Sequence, residues 1–367
     1  MKIAQVWIEH PVLKLDTPFS YLADDCAEKG KRVLVDFNNH QIVGFIEDVF
    51  EYSGTIAQFK LEKGFDLKPI LSVIDENPLF NDELFDLGKW LAYETLSPTI
   101  SCFQAMLPAK IKPVNNHQKI KMEKYVHIIK KADLNQLTVK RQEAYNALQF
   151  HGEMSLSKWR KDFASMGIAL EKLGLVGQFE KEAVFKEKDN FVLSTDLELN
   201  IYQKHAFDEI KNSKEDEVIL LHGVTGSGKT EVYLQLAKDV VKNQKKQVLI
   251  LVPEISLTPQ MVERVESRFG SSVAIYHSGL NNQEKYEQYQ RVALNQVDIV
   301  VGTRSAVFMP FHNLGLIVLD EEHDQSYKQE STPQYHCRDV AIHRAKTFHC
   351  KVILGSATPS LESYSRA

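Results

Sequence analysis

The stretch that decides the fold is "VILLHGVTGSGKTEVYLQLAKDVV", residues 218–241. A short apolar run leads into a glycine-rich turn, and the turn opens a helix with apolar residues recurring on one face. Gly223, Gly228, Lys229 and Thr230 keep the spacing G-x-x-x-x-G-K-T. That spacing serves phosphate chemistry: the glycines let backbone N–H groups curl toward an anion, and the helix N-terminus adds its positive dipole end. The expected nucleotide contacts run through Gly223, Val224, Thr225, Gly226, Ser227, Gly228, Lys229, Thr230 and Glu231. Lys229 is expected to reach the β- and γ-phosphates, and the Thr230 hydroxyl to ligate Mg²⁺.

Working outward, apolar runs at 248–252, 273–276, 298–301, 316–319 and 351–354 alternate with helical stretches. Continuous Val/Ile/Leu strands between helices imply a parallel sheet covered on both faces. "LIVLDEEH" (316–323) ends one strand in acids. Ligands of such sheets bind beyond the carboxyl ends of the strands, so Asp320 is expected to hold Mg²⁺ and Glu321 to act as general base. Lys229, Asp320 and Glu321 form the expected catalytic set, with Thr230 and Asp320 as the metal ligands. Gln203 stands about twenty residues before the glycine-rich loop, where helicases that this loop and acid block resemble use a glutamine to read adenine; the resemblance implies that role and favours ATP.

The 43% hydrophobic and 25% charged content describes a soluble globular chain of two or three domains, with no window apolar enough to span a bilayer. The N-terminus lacks the apolar core of a signal peptide, which predicts a cytoplasmic protein. Its four cysteines form no C-x-x-C pair, against a zinc site or disulfide framework in this chain. A net charge of −5 hides a basic run (Lys110, Lys112, Lys119, Lys121, Lys124, Lys130, Lys131, Lys140, Arg141) that fits either a solvated linker or a phosphate-contact surface.

The N-terminal part alternates at period two in "KIAQVWIEH", "FSYLA", "KRVLVDF" and "IVGFIEDVF", with "NNHQ" as a hairpin turn between the last two. A helix capped by Asn81 is predicted over residues 81–96. Residues 138–182 predict three short helices and a strand-like tail, a winged-helix pattern that serves DNA contact or scaffolding equally well. The boundaries read as a β-rich domain (1–110), a basic linker (111–137), a winged helix (138–185), a connector (186–198) and a P-loop lobe (199–367).

"VPEISLTPQM" (252–261), "GTRSA" (302–306) and "GSATPS" (355–360) each follow a strand, and a small-molecule kinase has no need of these extra loops. Together with "DEEH" they form the motif series of superfamily 2 helicases and translocases. With "GVTGSGKTEVY" and "DEEHDQSYKQ" (320–329), their order and spacing resemble the PriA family of replication-restart helicases. The resemblance implies a multidomain α/β protein: a β-rich 3′-DNA-end-binding domain, a winged helix and a RecA-like first helicase lobe. It implies an ATP-dependent 3′→5′ DNA helicase that recognises stalled or repaired forks and initiates primosome assembly. A non-catalytic fork-binding scaffold and another superfamily 2 translocase of recombination or repair are the alternatives.

By the same resemblance, the 3′-end pocket falls on Phe19, Ser20, Tyr21, Asn38 and Lys68. Ser20 stands where an acidic or other hydrogen-bonding residue is common and Asn38 where a glycine is common; a hydroxyl should hold a terminal 3′-OH less strongly than a carboxylate. Arg304 and the aromatic-rich loop residues Tyr327, Lys328, Tyr335 and Arg338 are expected to meet single-stranded DNA by base stacking and backbone contact. Implied partners are forked DNA with a 3′ nascent end, single-strand binding protein and primosome or loader proteins, with no membrane. The second lobe and a zinc module are expected to lie beyond Ala367, leaving this stretch weakly active alone.

Overall fold

The computed structural model describes residues 1–108, 122–132, 137–182 and 194–367. Two compact units emerge, Met1–Val114 with Lys188–Ala367, and Asn115–Glu187. In the first, strands β1 (Lys2–Ile8), β2 (Phe19–Leu22), β3 (Arg32–Phe37) and β4 (His40–Glu51), helix α1 (Ile56–Lys63) and strand β5 (Ile70–Val73) come first. The strands pair antiparallel in the order β2-β1-β4-β3-β5, which leaves β2 on an edge. The β3–β4 turn is shorter than the predicted four residues. Phe37 already pairs with His40, and Asn38 and Asn39 turn the chain with φ of 50° and 63°. Positive φ at both central positions is what a tight two-residue hairpin needs, and asparagine tolerates it better than most side chains.

Helices α2 (Asp82–Thr95) and α3 (Thr99–Met106) follow. Asn81 caps α2 as expected, its Oδ1 accepting from the Leu84 amide at 2.9 Å. Phe45, Phe80, Phe85 and Phe103 pack these helices onto the sheet.

The second unit contains β6 (Met122–Ile128), α4 (Val139–His151), β7 (Glu153–Ser155), α5 (Leu156–Lys172) and β8 (Val176–Glu182). The strands order as β7-β6-β8, all antiparallel, over a core that includes Val126, Tyr145, Leu148, Trp159 and Leu170. Helix α5 breaks at Ala164, where φ is 13° and ψ −103°. That break divides the two segments read as separate helices. Lys110, Lys112, Lys119 and Lys121 of the basic run, and residues 186–193 of the connector, lie outside the described residues.

The first unit resumes with α6 (Ile201–Asn212), β9 (Val218–His222), α7 (Lys229–Asp239), β10 (Gln247–Leu251), α8 (Pro259–Phe269), β11 (Val273–Tyr276), α9 (Asn282–Ala293), β12 (Ile299–Gly302), β13 (Leu314–Leu319), α10 (Cys337–Phe348), β14 (Lys351–Ser356) and α11 (Leu361–Tyr364). All six predicted strands are present, in one parallel sheet of order β11-β12-β10-β13-β14-β9. Both faces are covered. Along β10, Leu249 and Leu251 enter one core while Val248 and Ile250 enter the other. This double burial is why the strands read as unbroken apolar runs.

One of those cores continues into α2 and α3 of the N-terminal part. Arg344 of α10 is fully buried and meets Glu83 of α2 through two bonds, of 2.8 and 2.6 Å. Trp90 stacks on His343 with ring centroids 3.9 Å apart, and the Tyr289 hydroxyl donates to the Leu79 carbonyl at 2.9 Å.

Candidate nucleotide and DNA sites

Strand β9 delivers the chain to the P-loop at the carboxyl end of the sheet, and α7 begins at Lys229. Gly226 and Gly228 carry φ of 79° and 82°, so each needs glycine's freedom to turn the loop. Gly228 is also crowded: a Cβ there would lie 2.2 Å from Gln203 Nε2. The Lys229 side chain folds over its own loop, with Nζ donating to the Gly223 carbonyl at 2.7 Å and lying 3.9 Å from Glu321 Oε1. Ser227 Oγ is buried with no hydrogen-bond partner. A buried hydroxyl beside a loop of turned amides suits an incoming phosphate.

Asp320 sits at the end of β13, next to β14 and opposite α7. Burial and the neighbouring Glu321 carboxylate push its carboxyl above the ordinary range, while Lys229 pulls the other way. A buried carboxylate crowded by another acid favours a cation nearby. With the Thr230 hydroxyl at the head of α7, the donors fit Mg²⁺ carried in with a nucleotide; bound there, the ion would neutralise phosphate charge. Glu321 holds φ of 46°, an uncommon conformation for a side chain that is not glycine. Among the described residues, no cluster of three or more His, Cys, Asp or Glu side chains is placed to hold a metal ion by itself.

The acid block is wired to the loop after β14. His323 Nδ1 lies 2.8 Å from Ser356 Oγ and 3.7 Å from Glu321 Oε2, and its Nε2 is 3.3 Å from Thr358 Oγ1. Glu322 is buried and accepts from the Ser360 amide at 2.7 Å and the Ser363 hydroxyl at 2.9 Å. Burial alone would raise its carboxyl, but these donors and Arg338 outweigh it and hold it below the usual range. Gln203 grips the P-loop: Nε2 donates to the Ser227 carbonyl at 2.9 Å and Oε1 accepts from the Asn200 amide at 2.9 Å.

Several expectations are corrected by burial. Tyr327 is fully buried, its hydroxyl donating to the Asp320 carbonyl at 2.7 Å, and Tyr335 is buried edge-on against Phe308. Neither presents a face for a base to stack on. Arg304 donates to the carbonyls of Ser326 at 3.2 Å and Lys328 at 2.6 Å, holding the loop from beneath. Arg338 points its guanidinium at Glu322, Ser360 and Ser363 rather than outward. Of the residues assigned to this DNA surface, Lys328 alone is exposed. Glu231 is corrected too: it lies on the first turn of α7 but bonds to Arg268 at 2.8 Å and Arg264 at 3.0 Å, away from the phosphate cradle. Sequence spacing could not tell loop aromatics that anchor from aromatics that display.

The proposed 3′-end residues separate across the edge strand. Tyr21 is buried, and its hydroxyl donates to the Asp36 carbonyl at 3.2 Å; burial and Asp36 push its phenol up to about 12. Lys68 pairs with the Asp36 carboxylate, and Phe19 packs against Phe37 with centroids 5.0 Å apart. Asn38 is exposed at the hairpin tip beside this group. Ser20 points to the other face, where its Oγ accepts from Gln5 Nε2 at 3.0 Å. There it lines a groove of about 460 Å³ with Gln5, Phe19, Phe50, Tyr52, Lys63 and Phe65. Gln5 of β1, Phe50 of β4, and Tyr52 and Phe65 from the segments flanking α1 come together only in the fold, so the sequence reading did not group them with Ser20.

A glycine-rich P-loop turn after β9, an acid pair after β13 two strands away in the sheet, and a hydroxyl-rich loop after the intervening β14 wired to those acids define a helicase lobe of the P-loop class. The DEAD/DEAH box helicase family matches residues 200–367, and the 3′DNA-binding domain family (PriA 3′BD) matches residues 5–108. The chain is 36% identical over 447 residues to the replication restart protein PriA of Bacillus subtilis, covering 100% of this chain and 54% of that one. Its identity to PriA of Haemophilus influenzae is 38% over 378 residues, covering 99% and 50%. With PriA of Synechocystis it is 49% over 218 residues, covering 58% and 26%. The chain belongs to the PriA replication restart family and corresponds to its N-terminal half. It spans about half the length of the first two relatives.

Proposed function

We propose that this chain supplies the nucleotide-binding lobe and the DNA-end-binding domain of an ATP-dependent 3′→5′ DNA helicase that acts at stalled or repaired forks and starts primosome assembly. The observation that carries the reading is the convergence of Lys229 Nζ on the P-loop carbonyl and the Glu321 carboxylate, 2.7 and 3.9 Å away. Lys229 would hold the β- and γ-phosphates, Asp320 and Thr230 the Mg²⁺, and Glu321 the attacking water. The 3′BD match supports reading the β-rich domain as the module that senses a nascent 3′ end. A winged helix between that module and the helicase lobe is part of this proposal, with its start earlier than the sequence suggested: β6 (Met122–Ile128), inside the stretch read as a linker, pairs with β7 and β8. The nucleoid location and the contacts with single-strand binding protein and primosome proteins are part of it too.

The test is nucleotide and fork binding measured together on the full-length protein. Lys229→Ala should abolish ATP binding and leave fork affinity within about twofold, because phosphate and DNA contacts lie on different residues. Forks ending in a 3′-OH should bind tighter than forks ending in a 3′-phosphate. Indifference to the 3′ group, or joint loss of both ligands in Lys229→Ala, removes the reading.

A further inference from the structure

Resting on the nucleotide-site reading, we propose that Tyr233 is a positioning residue for the metal-holding carboxylate, joining the P-loop helix to Asp320 through its hydroxyl. Tyr233 lies on α7, one turn after Lys229, and is 1% exposed. Its O–H donates to Asp320 Oδ1 at 3.3 Å. A buried hydroxyl needs a partner, and this one has the carboxylate that faces the phosphates.

The neighbouring strand is shaped to permit the contact. A Cβ at Gly355 of β14 would lie 1.6 Å from Tyr233 Oη and 3.4 Å from Asp320 Oδ1. Any larger residue there would occupy the space through which the hydroxyl reaches Asp320. Gly355 carries no positive φ, so its smallness, not its backbone, is what the site uses. The Asp320 carbonyl is fixed separately by Tyr327 at 2.7 Å. Asp320 is thus held at both ends: Tyr327 fixes its carbonyl, and the Tyr233 hydroxyl joins the Glu321 backbone N–H in directing its carboxylate.

The experiment compares Tyr233→Phe, Gly355→Ala and the double variant with wild type in the full-length protein. The readouts are thermal midpoint and fluorescent ATP-analogue binding titrated with Mg²⁺, with Asp320→Asn as reference. Tyr233→Phe should stay folded with a slightly lowered thermal midpoint and keep the Mg²⁺-free affinity, while the Mg²⁺ concentration for half-maximal binding rises about fivefold. Gly355→Ala should raise it similarly, and the double variant no further, since both act on one contact. An unchanged Mg²⁺ requirement in Tyr233→Phe, with Asp320→Asn shifted, overturns the proposal alone. Absence of nucleotide binding in wild type overturns it together with the nucleotide-site reading.

Discussion

At the scale of single residues, Tyr327 shows how burial changes a role. Two residues of its loop, Tyr327 and Tyr335, look like stacking platforms in the sequence, yet both rings are packed inside. Burial pushes both phenols far above their ordinary range, so they stay neutral, and Tyr327 keeps its proton to donate. Tyr327→Phe should therefore leave the fold intact and loosen only the Asp320 backbone, at about 1 kcal/mol. Tyr327→Ala should cost ~3–5 kcal/mol through the cavity it leaves. Denaturant melts of both variants check this; equal stability of the alanine variant and wild type would return the ring to the surface.

At the scale of elements, α7 is tied to α8 by a buried ion cluster. Glu231 receives Arg268 at 2.8 Å and Arg264 at 3.0 Å, and Gln235 donates to it at 2.9 Å. Burial raises the carboxyl, but Arg268 and Gln235 more than offset this and hold it at about 2, against an ordinary 4.5. The folded value lies below the unfolded one. The cluster's contribution is thus complete above pH 4.5 and is lost as pH falls toward 2. Wild type should lose stability through that window by about 3 kcal/mol at most, and Glu231→Gln should show a shallower acid limb. Acid titration of the melting midpoint in both proteins decides it. The same element scale separates what pattern reading reached from what it missed. Helix α2 and the six helicase strands were legible because each has a strong apolar period and clear end signals. Helix α1 carries end signals that the pattern reading passed over, a Thr55–Gln58 capping box and Gly64 in the left-handed region, whereas α3 and β5 are short and take their regularity from packing.

Across the first unit, the N-terminal domain and the helicase lobe share one apolar core, clasped by Glu83 and Arg344. Arg344 also donates to the carbonyls of Val307 and Met309, at 2.5 and 3.0 Å, so its charge is fully compensated in the interior. Arg344→Met should cost about 3–5 kcal/mol, because Glu83 and those carbonyls lose their donor. Adding Glu83→Leu should recover part of it, since an apolar pair in place of a buried ion pair is often tolerated. A melt in which Arg344→Met matched wild type would remove the clasp as a structural element.

The phosphate cradle, the acid pair and the parallel sheet were readable from spacing alone. Each depends on the chain's local geometry: a strand, a turn and a helix in succession, with functional groups within a few residues of one another. Tertiary structure decided which side chains remain available. Tyr327, Tyr335, Arg304 and Arg338 turn inward, Ser20 parts from Tyr21, and Tyr233 reaches Asp320 from 87 residues away in sequence. Facing and burial depend on contacts between distant segments, which no local period records.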